Sequence, residues 1–254
     1  MSGKNRGVVF ACSDLRWWPE TLGSAASFRE HMPELARELY VTPAVRDAAG
    51  AALAELFTTT VVVDAPEFAP RPRFEACRLT KLDQAVFIDG DTLLVAPAPE
   101  LFDVLDSFDV AAAAPQFLSP KAVRLGVFDA LPPVSAALPE WNTGVLVANV
   151  DARFRTFVGA WAALYSKSNV LGHDMDQAAF RSAVVHSDLR IATLPNNYNL
   201  RANVPQVITG DVKILHAHGE LTDIARTINA GDPIRVYMPR REQLHGFRPK
   251  AFSR

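Results

Sequence analysis

The chain has 254 residues, 49% of them hydrophobic and 21% charged, with a formal net charge of −2. That balance fits one large soluble α/β domain and provides no global field to draw the protein to nucleic acid or membrane. Two cysteines, Cys12 and Cys77, give neither a disulfide framework nor metal-ligand spacing and fit a reducing cytosol. The start holds no signal-peptide core, and no stretch approaches the roughly 20 apolar residues that span a bilayer, so a cytoplasmic location is expected.

In chain order, GVVFAC (Gly7 to Cys12) is a short apolar run read as a first strand. Trp18 to His31 carries Leu22, Ala25, Ala26 and Phe28 at helical spacing. ELYV (Glu38 to Val41) is a second strand. Thr42-Pro43 reads as an N-cap followed by Pro at the first helical position, opening a helix to about Phe57. TTTVVVDA (Thr58 to Ala65) is a third strand and the Pro-rich Ala65 to Phe74 a loop. Ala85 to Ile88 is a fourth strand and Phe108 to Ala114 a fifth. Phe117 to Glu140, with four prolines, reads as irregular. Thr143 to Val150 is an apolar strand. Asp151 caps a helix with Phe154, Phe157, Val158, Trp161 and Tyr165 on one face. Asp176 to Val185 is another helix, and Arg190 to Leu194 and Val212 to Leu215 are late strands. Alternating strands and helices predict a mostly parallel sheet covered on both faces.

The informative stretch is VFIDGDTLLV, Val86 to Val95, where a buried-looking strand ends in Asp89, Gly90 and Asp91. Ligands gather at the carboxyl ends of strands in open α/β sheets. Solvated turn acids are one reading. A haloacid-dehalogenase phosphatase is a second, but Thr92 directly follows Asp91 where that motif needs a residue between them. The third reading is a metal clamp for a nucleotide diphosphate, since a hard divalent cation takes one or two carboxylates plus substrate phosphates. ILHAHGE, Ile214 to Glu220, adds His216 and His218 at another apolar strand end. Carboxylates with imidazole suit Mn²⁺ better than Mg²⁺.

Four segments in order carry a family resemblance: VFIDGDTLLV, WNTGVLVANVD (Trp141 to Asp151), DMDQAAF (Asp174 to Phe180) and ILHAHGE. The chain resembles the retaining GT-A glycosyltransferases of the glycogenin and bacterial lipopolysaccharide galactosyltransferase type. The resemblance implies a GT-A nucleotide-diphospho-sugar transferase fold with a mostly parallel mixed sheet. It implies one domain: a nucleotide-binding half over residues 1–95, a donor-sugar and acceptor half over 96–236, and a basic tail over 237–254. Its metal ligands would be Asp89, Asp91 and His216. Asn142 and Thr143 would meet the sugar or diphosphate, Asp176 the donor sugar, and Gln177 the anomeric carbon. Gly219 would approach phosphate. Ala11, Ser13 and Asp14 would bond base and ribose, with Trp17 or Trp18 stacking. Arg78, chosen over Arg73, would touch the diphosphate. The chain departs from the family in having no Lys after H-x-x-G, where Arg226 is the first basic residue. The implied activity is transfer of a sugar from a nucleotide diphosphate sugar, UDP-linked, to a glycan, lipid, protein or small-molecule acceptor. A sugar nucleotidyltransferase is the runner-up, disfavoured because ACSDLRWWPE has no glycine; an inactive nucleotide-sugar-binding module is the non-enzyme alternative. No nucleic-acid partner is expected, and membrane contact would be at most peripheral, through the basic tail.

Overall fold

The computed structural model describes residues 3–63, 72–115 and 118–239. The basic residues Arg240, Arg241, Arg248, Lys250 and Arg254 lie outside them, as does most of the expected loop before Phe74.

The first half alternates strands and helices. β1 (Arg6–Cys12), α1 (Trp18–His31) and β2 (Ala36–Val41) lie where the patterning puts them. The helix expected from Pro43 to about Phe57 is two, α2 (Pro43–Ala49) and α3 (Ala52–Leu56). Gly50 separates them at φ 55°, ψ −132°, a conformation that costs a residue with Cβ too much to adopt routinely. Thr42 precedes α2 without a side-chain cap; its hydroxyl donates to the Ser13 carbonyl at 3.3 Å instead. β3 (Thr59–Val62) follows. Pro72 to Phe74, expected in a loop, begin a helix, α4 (Pro72–Leu79). Proline suits a first helical turn because that N–H has no intrahelical partner. β4 (Gln84–Ile88) and the short β5 (Thr92–Leu94) flank the two acids.

In the second half, β6 (Val110–Ala113) leads into a segment read as irregular, which contains two short helices, α5 (Pro120–Arg124) and α6 (Val127–Ala130). β7 (Asn142–Asn149) and α7 (Ala152–Val170) come next. Asp151 caps α7 as expected, accepting from the Phe154 amide at 2.8 Å. α8 (Gln177–Val185) and β8 (Ile191–Leu194) complete the main sheet. β9 (Leu200–Arg201), β10 (Gln206–Thr209), β11 (Ile214–His216), α9 (Thr222–Thr227) and β12 (Ile234–Tyr237) form a smaller C-terminal layer.

Seven strands form one sheet in the order β3-β2-β1-β4-β7-β6-β8. All run parallel except β7, which opposes both its neighbours. Period-two alternation sends Val8, Phe10, Val86 and Ile88 to the face covered by α1 and α3. It sends Val9, Phe87, Leu146 and Ala148 to the face covered by α4, α7 and α8. β5, β11 and β9 form a three-stranded sheet over a separate apolar cluster of Leu200, Ile208, Leu215, Ile224 and Ile228. The ladder between β6 and β7 slips at Ala112/Ala113. The amino end of β7 thereby leaves the regular pairing beside the cleft described next.

Candidate active site

A cleft of about 720 Å³ opens where β1 and β4 end, bordered by α8 and the three-stranded sheet. At the end of β4 the Asp89 amide donates to the Gly144 carbonyl at 2.9 Å, and the Thr92 hydroxyl donates to the Asp89 carbonyl at 2.8 Å. These bonds hold Asp89-Gly90-Asp91 in a tight reversal. A Cβ on Gly90 would lie 2.5 Å from the Thr21 hydroxyl of α1, so the reversal sits directly on that helix. Antiparallel pairing of β5 with β11 sets Thr92 opposite His216. The His216 Nε2 lies 3.3 Å from Asp91 Oδ1 and 3.9 Å from Asp89 Oδ2. One ligand atom from each of the three residues lies within 4.8 Å of the others.

The His216 ring is held from behind. The Gly144 amide donates to Asn142 Oδ1 at 2.9 Å, and Asn199 Nδ2 donates to the same oxygen at 2.9 Å. A backbone N–H can only donate, so the Asn142 atom is oxygen, the Asn199 atom facing it is nitrogen, and the remaining Asn199 oxygen accepts from His216 Nδ1 at 2.8 Å. The proton therefore sits on Nδ1 and Nε2 faces the acids, the arrangement that orients metal-binding histidines. Burial raises the Asp91 pKa, but in the metal-free site an imidazolium at His216, by its charge and hydrogen bond, and then His218, outweigh it and hold the carboxyl below the usual range. Two carboxylates and an imidazole nitrogen converging on one point fit a divalent cation.

A second anchor joins the acids to α8. Arg73 donates to Asp89 Oδ1 at 2.5 Å and to Asp176 Oδ2 at 3.3 Å, while the Thr143 hydroxyl donates to Asp176 Oδ1 at 2.6 Å. Asp176 occupies the N-cap position of α8 without a side-chain cap, because its carboxylate is engaged by Arg73 and Thr143. Gln177, the first residue of α8, lines the cleft beside it. Asp174 is exposed and pairs with Lys121 at 2.7 Å.

Of the residues singled out from sequence, Ala11, Ser13, Asp89, Gly90, Asp91, Asn142, Thr143, Asp176, Gln177 and His216 line this cleft; Asp14, Arg78 and Gly219 do not. Asp14 caps the turn at Leu15–Trp17, accepting from the Arg16 amide. Arg78 bonds Glu75, and Arg73 stands at the cleft in its place. At 100° per residue, five positions carry a side chain well over a turn along α4 and to another face. The Gly219 amide donates to Glu20 Oε1 at 2.9 Å. Trp18 is buried in the core, whereas Trp17 stacks on His218 with centroids 4.6 Å apart at the cleft wall. Cys12, Glu20, Tyr165, Asn169 and Met175 also line the cleft. None carries a local sequence signal, since each arrives by tertiary packing.

The same architecture occurs in solved structures. Mouse xyloside xylosyltransferase 1, apo form, superposes with a TM-score of 0.56 at 15% identity, covering 84% of this chain and 97% of that one. The galactosyltransferase LgtC, in complex with donor and acceptor sugar analogues, gives 0.59 at 15% identity, covering 89% and 97%. The glycosyltransferase GlyE of Streptococcus pneumoniae gives 0.58 at 16%, covering 91% and 61%. This chain has the GT-A fold. By sequence alone, no family profile and no curated protein matches it. In GT-A terms, the Asp-Gly-Asp reversal, the strand β7 and the start of α8 form one rim of the cleft, and His216 reaches it from the C-terminal layer. No helix among the described residues is long and apolar enough to cross a membrane.

Proposed function

We propose that this protein is a metal-dependent glycosyltransferase that moves a sugar from a UDP-type nucleotide diphosphate sugar to an acceptor, with retention at the anomeric carbon. The observation that carries the reading is the convergence of Asp89, Asp91 and His216 on one point at the floor of a nucleotide-sized cleft. Mn²⁺ suits this donor set better than Mg²⁺, and when bound it supplies positive charge against the departing diphosphate. Ala11 and Ser13 border the base end, with Trp17 as the exposed aromatic wall.

The chain's own residues do the positioning. Arg73 and Thr143 hold Asp176 where it meets the donor sugar, and Asn142 keeps one buried amide nitrogen with no partner, a donor available to substrate. Gln177 places its side-chain carbonyl at the anomeric carbon. A glutamine is a poor nucleophile, so the carbonyl stabilises positive charge there rather than forming an adduct. The bond from the anomeric carbon to the diphosphate breaks, the acceptor oxygen bonds on the same face, and the acceptor proton passes to the leaving phosphate oxygen. An active-site Gln-to-Glu mutant of LgtC is among the similar structures, which accords with a working glutamine.

The test heats the protein with Mn²⁺, with UDP and with both. Stabilisation that needs both, and that Asp91→Asn abolishes, supports the reading; nucleotide binding indifferent to metal and to Asp91 refutes it. Proton NMR of the product from an α-linked donor reads the stereochemistry. A β-linked product would remove Gln177 from its role and turn attention to Asp174 or Asp176 as a base.

A further inference from the structure

Three arginines line the cleft: Arg16, Arg73 and Arg201. Arg16 pairs with Asp14 at 2.8 Å, and Arg73 is clamped between Asp89 and Asp176. Arg201 forms no ion pair among the described residues, and its Nε is buried without a hydrogen-bond partner. It lies in β9 in register with His216 of β11, beside the candidate metal ligands. Burial works against its charge, while Asp91 and then Asp89 favour it. A guanidinium held partly out of water with its hydrogen-bond donors unmet is costly unless an acceptor arrives to meet them.

The charges around it say which anion. With Arg16–Asp14 and Lys121–Asp174 cancelling in pairs, the carboxylates of Glu20, Asp89, Asp91 and Asp176 share the cleft with the guanidinium groups of Arg73 and Arg201, two negative charges in excess. A divalent cation on Asp89, Asp91 and His216 would cancel that excess and free Arg201 from the pull of Asp89 and Asp91. The planar guanidinium fork suits phosphate oxygens. Among the described residues no other basic group serves: Arg226, the first one after Gly219, pairs with Asp223 at 3.2 Å and does not line the cleft. His218 is exposed and tied to Glu20 at 3.0 Å.

We propose that Arg201 is the residue that grips the diphosphate of the nucleotide, opposite the metal, and is recruited to it when the metal neutralises Asp89 and Asp91. This rests on the nucleotide-diphosphate reading above.

The test compares wild type, Arg201→Gln and Arg201→Lys by calorimetry, with MnCl₂ alone and with UDP at saturating Mn²⁺. Arg201→Gln should weaken UDP binding about tenfold, the scale of one charge-assisted hydrogen bond. It should also tighten binding of Mn²⁺ alone, because a positive charge beside the two carboxylates is gone. Arg201→Lys should recover part of the UDP affinity. A merely structural arginine would weaken both ligands together, and that outcome, or unchanged UDP affinity in Arg201→Gln, overturns the inference while leaving the nucleotide reading standing. A wild type that binds no UDP at any Mn²⁺ concentration overturns both.

Discussion

At Gly144 the site depends on the absence of a side chain. A Cβ there would lie 2.2 Å from His216 Cε1, 2.7 Å from its Nδ1 and 2.9 Å from Asn142 Oδ1. These are the ring and the amide that set the direction of Nε2. Gly144→Ala should therefore lower Mn²⁺ affinity at least tenfold by calorimetry, with a folding cost of about 1–3 kcal/mol from overpacking. Unchanged Mn²⁺ affinity would show that His216 is not a ligand. The residue scale is also where sequence reading was least secure. Asp89, Asp91 and His216 were legible because each ends an apolar run. Arg73 was ranked behind Arg78 because spacing does not say which face of α4 meets Asp89 and Asp176.

At the scale of elements, α7 seats α8. Trp161 of α7 is fully buried, with ring centroids 4.9 Å from Phe74, 5.0 Å from Phe180 and 5.9 Å from Phe157. Its Nε1 donates to the Asp176 carbonyl at 3.2 Å, at the turn where Asp176 and Gln177 enter the cleft. Trp161→Ala should cost about 3–5 kcal/mol in urea denaturation. Trp161→Phe keeps much of the packing and loses the hydrogen bond, so it should cost only about 1–2 kcal/mol. Equal losses in the two variants would mean that the indole N–H, not the ring, dominates. Long periodic elements such as α1 and α7 were readable because their apolar faces repeat. α4 was missed because the prolines at and before its start read as loop, and the break at Gly50 was missed because one glycine inside a helical pattern does not announce its φ.

Across the whole molecule, the two ends of the segment of residues 118–140 are tied together by a buried acid. Glu140 is 1% exposed, accepts from the Ser119 amide at 3.0 Å and leaves Oε1 without a partner. Burial pushes its pKa up, against the Ser119 hydrogen bond and the Arg181 charge. A raised carboxyl favours the protonated folded state, so its contribution to stability falls as pH rises from the ordinary glutamate range through the raised value. Glu140→Gln should be more stable than wild type at pH 7, with the gap closing toward pH 4 in thermal melts; a gap that widens in acid would refute this. By itself the sequence determined the alternation of strands and helices, the two-faced sheet, and the acids and histidine at strand ends, because hydrophobic periodicity and strand termination are local properties of the chain. Only the tertiary structure decided that residues 89, 91 and 216 meet, that Asn199 and Asn142 turn the imidazole toward the acids, and that Arg201 stands unpaired beside them. Those contacts join residues more than 50 positions apart, or side chains whose direction depends on the packing of a neighbouring layer, and neither is written in spacing along the chain.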